Sequence, residues 1–173
     1  MPTTSIGDAI RRAREYLTRR PDEARYTDTA AVARIENGLR WIVEGPGGAT
    51  IGTVMSTGVG GGASAPSPGW LLRASHAACD ATLIAMRAAE EGVELSRMEV
   101  TVDSESDDRG LLGMDESVPA GPLRMRVRVR LSATGVPEPR LREIVAWARE
   151  HSPVDDALLR SVPVDVEVTV DPA

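Results

Sequence analysis

Apolar residues along this chain change period several times, and each change marks an element. From Ser5 to Arg20 they recur at Ile6, Ile10, Ala13 and Leu17, one face of an α-helix. Ser5 with Asp8 resembles a capping box there, and Pro21 is the stop. Residues 29–55 read as an antiparallel meander. AAVARIE and LRWIVEG flank Asn37-Gly38, a pair that tolerates the positive φ of a tight hairpin, a second turn falls at Gly45-Pro46-Gly47-Gly48, and ATIGTVM supplies a third strand. Trp70–Gly92 then carries Leu71, Leu72, Ala74, Ala78, Leu83 and Ile84, with charge gathering near its end at Arg87, Glu90 and Glu91. A helix that is apolar almost all round is a buried one, and Gly92 is suited to close it.

Beyond Gly92 the period becomes two. Residues 96–106 put Met98, Val100 and Val102 on one face and Glu99, Thr101, Asp103 and Glu105 on the other. Residues 107–122 are irregular, and LRMRVRVRLS follows, with Met125, Val127, Val129 and Leu131 inward and Arg124, Arg126, Arg128 and Arg130 outward. Residues 138–150 return to a helical stripe of Leu141, Ile144, Val145 and Ala148, DDALLRS makes a short helical turn, and VPVDVEVTVD alternates again as a final strand. The predicted order, α-βββ-α-ββ-α-α-β, is an α+β fold with two long core helices on antiparallel-rich sheets. The arginine row suggests a polyanion surface at first sight. Carboxylates at Glu99, Asp103 and Glu105 on one side and Asp165, Glu167 and Asp171 on the other account for it better, as cross-strand pairs that set register.

Composition narrows the function classes. With 173 residues, 42% hydrophobic and 27% charged, the chain fits one soluble domain, and without a long uncharged apolar run or a signal-like start a cytoplasmic protein is expected, with no membrane segment. A net charge of −6 argues against a nucleic-acid partner. Arg11, Arg12, Arg14, Arg19 and Arg20 on the first helix read as a solvated face. The loop TGVGGGASAPSP places Gly58, Gly60 and Ala63 in a loose dinucleotide pattern, but prolines separate it from the helix and no βαβ unit surrounds it, so no nucleotide cofactor is expected. Ser75 and Ser152 lack the Gly-x-Ser-x-Gly setting of a hydrolase.

Cys79, the single cysteine, sits mid-helix, so no disulfide forms within the chain. A thiol attacks peroxide as thiolate, and an unassisted cysteine is only a few per cent ionised at neutral pH. His76, three residues earlier, is placed to favour the thiolate if protonated, and His151 is a further candidate. The plainer reading is a satisfied His76 beside a small inert core thiol. His76, Cys79 and Asp80 share helical spacing and His151 could join them, but no cysteine pair or second clustered histidine matches a structural zinc pattern, so no metal is expected.

The run Pro68-Gly69-Trp70-Leu71-Leu72-Arg73-Ala74-Ser75-His76-Ala77-Ala78-Cys79, followed by a strand pair and a helix ending in Ser152-Pro153-Val154, resembles the OsmC/Ohr family of osmotically inducible and organic-hydroperoxide-resistance proteins. The resemblance covers about residues 27–171. It divides the chain into a helical extension, 1–26, and an OsmC-like domain, 27–173, and implies an intertwined homodimer with active sites between subunits. It further implies a peroxidatic cysteine at Cys79 and a partner arginine from the first hairpin, Arg34 or Arg40. Ser152 stands where the peroxidase members carry a resolving cysteine, and Gly69 where they carry a glutamate. Two functions follow as expectations. One is a one-cysteine peroxidase that reduces organic hydroperoxides and is recycled by an external thiol. The other is a non-catalytic protein that binds a small apolar ligand or acts as a redox-responsive thiol.

Overall fold

The structure, a computed structural model, describes residues 5–172; residues 1–4 and 173 of the ranges above lie outside it. Helix α1 spans Ile6–Arg19, with the Ser5 hydroxyl accepting from the Asp8 amide. Strands β1 (Val32–Asn37), β2 (Arg40–Glu44) and β3 (Thr50–Val54) form an antiparallel sheet in sequence order. The long helix α2 (Pro68–Glu90) leads into β4 (Leu95–Glu105), a short α3 (Asp108–Leu111) and β5 (Arg124–Ala133). Helices α4 (Glu138–Glu150) and α5 (Pro153–Leu159) complete the ordered elements.

Local chemistry explains most boundaries. The Ser67 hydroxyl caps α2 by accepting from the Trp70 amide, Pro68 takes the first turn, where its missing N–H is no loss, and Gly92 at φ +71° closes the end. The first hairpin turns one residue later than Asn37-Gly38. Asn37 pairs with Arg40, the register slips between Ile35 and Asn37, and Gly38 alone takes positive φ, at +53°. The glycine loop is anchored to β3, where Val54 N and Thr53 Oγ1 both donate to the Pro66 carbonyl. Gly61 has a steric reason to be glycine, since a Cβ there would lie 1.8 Å from the Met55 carbonyl oxygen.

Strand β4 pairs with β5 in the register that the charges imply, Glu105 opposite Arg124, Asp103 opposite Arg126 and Glu99 opposite Arg130. Arg126 and Arg128 both bind Asp103 and hold its carboxyl below the usual range. The final strand is not formed. Residues 162–171 pair with no strand among the described residues, and Val164, Val166, Val168 and Val170 stand 79–85% exposed. A strand needs a ladder partner as well as an alternating sequence, and here the arginine row is flanked on one side only.

The core is small. Ile84 and Ala88 of α2 meet Ile144 and Ala148 of α4, roofed by Met98, Val100, Val129 and Leu131 of the two-stranded sheet. Helix α2 is not buried all round, as its composition suggests. It buries a single stripe, His76, Asp80, Ile84 and Ala88, and leaves Trp70 49% exposed. The three-stranded sheet packs closely on no other element among the described residues, and its Ile35 and Ile51 face outward. Accessible surface totals 12906 Å², against roughly 8200 Å² for a compact monomer of this mass. No helix among the described residues is long and apolar enough to cross a membrane.

Helix α1 docks differently from its apolar stripe. Ile6 and Leu17 are 56% and 40% exposed, and the buried residue is Gly7, laid on the end of α2 where a Cβ would come 2.7 Å from the Ala89 carbonyl oxygen. Gly7→Ala gains about 0.5–1 kcal/mol of helix propensity but forces the backbones apart at a cost of about 1–3 kcal/mol. The expected result is a net loss of stability by chemical denaturation, with α1 the first segment to lose hydrogen-exchange protection. Unchanged α1 protection would mean the helix is not held at Gly7.

Candidate functional site

Four residues apart on α2, His76 and Asp80 fall one above the other on the buried stripe. The loop after α4 brings a second group against them. Ser152, 1% exposed, caps α5 by accepting from the Asp155 amide at 3.3 Å, and its hydroxyl donates to Cys79 Sγ at 3.3 Å. One hydroxyl thus ties the start of α5 to the sulfur. Cys79 itself is partly exposed.

Asp155 turns inward from the first turn of α5. His76 Nε2 lies 2.9 Å from Asp155 Oδ1 and 3.6 Å from Asp80 Oδ2, and Arg149 reaches Asp155 from the last turn of α4 at 3.3 Å. His76, Asp80 and Asp155 are 3%, 0% and 4% exposed, whereas the Arg149 side chain is 48% exposed. His76 Nδ1 and both Asp80 oxygens have no well-formed hydrogen bond among the described residues. Burial, followed by the Asp155 carboxylate, pushes the Asp80 acid above its ordinary value, against the nearby Ser152 hydroxyl, which favours the carboxylate without a well-formed bond to it, and against His76 and Arg149. A groove of about 520 Å³ opens onto His76 and Asp155 between Leu72, Leu123, Met125 and Leu158.

Cys79 and Ser152, singled out in the sequence, do come together. His76 is a neighbour, but its Nε2 faces Asp155 and Asp80. His151 is not part of the cluster; its ring stacks on Trp147, with centroids 4.1 Å apart, and Nδ1 meets the Trp147 carbonyl at 2.8 Å. Arg34 pairs with Glu44, and Arg40 with Glu36 and Ser64, on the outlying sheet. Asp155 and Arg149 escaped the sequence reading. The Asp155 signal was Ser152-x-x-Asp155, a capping pattern whose acid normally turns back to its own helix start. Here it faces another helix.

A family model described as OsmC-like protein matches residues 60–167. No curated protein sequence matches the chain. Among solved structures, the organic hydroperoxide resistance protein OsmC of Legionella pneumophila is 25% identical, covers 77% of this chain and 89% of its own, and superposes with a TM-score of 0.56. An OsmC-like protein of Mycoplasma pneumoniae shares 11% identity over 79% of this chain and 91% of its own, with a TM-score of 0.67. The organic hydroperoxide resistance protein OhrB of Bacillus subtilis shares 22% over 83% and 98%, with a TM-score of 0.52. At their identities the last two bear on the fold alone.

Proposed function

The chain belongs to the OsmC-like protein family, and on that premise we propose that it is a one-cysteine thiol peroxidase acting on organic hydroperoxides as a homodimer. The observation that carries the chemistry is the Ser152 hydroxyl, which donates at 3.3 Å to Cys79 Sγ, the single sulfur of the chain able to be oxidised to a sulfenic acid. In the first step the Cys79 thiolate attacks the terminal oxygen of R–O–O–H. The O–O bond breaks, the electron pair leaves with RO⁻, which takes a proton to give the alcohol, and sulfur becomes sulfenic acid. An external thiol then attacks that sulfur, water leaves, and a second thiol releases Cys79 as a disulfide between the two reductant molecules.

The homodimer reading draws on the unpaired 162–171 segment, the outlying three-stranded sheet and the excess accessible surface, all of which a second intertwined copy would cover. In such a dimer the hairpin arginine, Arg34 or Arg40, would come to the thiol from the second copy. Native mass spectrometry of protein treated with an organic hydroperoxide and a sulfenic-acid trap tests both parts. A dimer carrying one trap adduct per chain at Cys79, absent from Cys79→Ser, is expected. Without an adduct, and without hydroperoxide consumption on addition of a dithiol, the peroxidase reading fails; a stable monomer defeats the dimer.

A further inference from the structure

Peroxide chemistry at Cys79 leaves the His76, Asp80 and Asp155 cluster without a role. Its three residues come from α2 and α5, are at least 96% buried, and offer one nitrogen and two carboxylates whose ligand atoms all lie within 4.8 Å of one another. Burying two carboxylates calls for compensation. His76 has one Nε2 atom, 2.9 Å from Asp155 and 3.6 Å from Asp80, so it bonds Asp155 and not Asp80, and Arg149 adds a cation on the Asp155 side. Asp80, fully buried, keeps both oxygens without a good hydrogen bond among the described residues, and its Oδ2 faces the same imidazole nitrogen.

We propose that His76, Asp80 and Asp155 bind one first-row divalent cation, zinc or an ion of similar preference, between α2 and α5. Zinc takes imidazole nitrogen and carboxylate oxygen at about 2.0–2.2 Å, which places tetrahedral ligand atoms roughly 3.4 Å apart. The Nε2 separations of 2.9 and 3.6 Å bracket that value. Two carboxylates neutralise a divalent charge in a site with little access to water, and an ion lying between the three groups supplies Asp80 with a stronger partner than the nearby Ser152 hydroxyl, which is engaged with Cys79. Three protein ligands leave a fourth position, and the groove beside His76 and Asp155 gives the ion its route.

Chelator-stripped full-length protein titrated with zinc chloride, followed by calorimetry and thermal unfolding, tests the site. One ion per chain is expected, with a rise in the unfolding midpoint; Asp80→Asn and Asp155→Asn abolish saturable uptake, while Cys79→Ser and His151→Ala retain it. No saturable uptake by the wild type, or undiminished uptake by both aspartate variants, overturns the proposal. Cobalt chloride on the wild type gives a second measurement that needs no variant to fold. Ligand-field bands of a four- or five-coordinate ion without thiolate charge transfer are expected, and a thiolate-to-cobalt band would reassign the ion to Cys79 and overturn the site.

Discussion

Ser152→Cys gives an oxidised protein with a disulfide between residues 79 and 152. The Ser152 Oγ and Cys79 Sγ atoms are 3.3 Å apart, and a disulfide needs a sulfur separation of about 2.05 Å, so the pair has only ~1.2 Å to close. The bridge would span residues 73 apart in sequence, for which the chain-entropy treatment allows up to about 4 kcal/mol of stabilisation. Against this stands the loss of the Ser152 cap on α5, about 1 kcal/mol. The oxidised variant therefore unfolds at a higher temperature than the wild type, and the reduced variant at a slightly lower one. On treatment with one equivalent of organic hydroperoxide, intact mass shows the loss of two hydrogens within one chain, reversed by dithiol, and turnover with a dithiol reductant increases. Two titratable thiols surviving oxidant would show that the positions do not meet in solution.

That meeting point was partly legible in the sequence. The helix around Cys79, the Ser-Pro-Val turn and the β4–β5 pairing follow from period, capping residues and charge placed at strand spacing. What the sequence hid has two physical causes. The Val162–Val170 alternation encodes a strand, but its ladder partner is not offered among the described residues, so the pattern goes unused. Apolar content makes α2 buried almost all round; it includes Ile84 but does not show that a single stripe is covered, nor that His76 and Asp80 belong to it. Those two are buried because Asp155, 79 residues beyond His76, folds against them. Burial of polar groups is set by a tertiary partner, and no helical period announces it.

The same cluster predicts opposite effects for substitutions one turn apart. His76→Leu removes the group that faces both carboxylates and leaves Asp80 and Asp155 buried together, a loss of the kind that costs about 3–5 kcal/mol when one member of a buried pair is removed. Asp80→Asn takes away a buried acid whose oxygens have no good hydrogen bond, so in the presence of chelator it should stabilise the protein at neutral pH. The sign can be followed with pH. Asp80 has its folded value raised above 3.8, so the folded form holds the proton more tightly than the unfolded chain, and its stability falls as pH rises from about 4 toward that raised value. Below about 4 both states are protonated and the penalty vanishes. The gain from Asp80→Asn should therefore be negligible near pH 4 and grow toward neutrality, as read from thermal midpoints across pH. A gain of equal size at every pH would mean that folding does not shift the Asp80 acid, and a loss that grows with pH would mean that it is paired as the carboxylate. With zinc added the order reverses, because only the wild type keeps the full ligand set. A residue that destabilises the empty fold and stabilises the loaded one is more simply explained as a ligand than as part of the core.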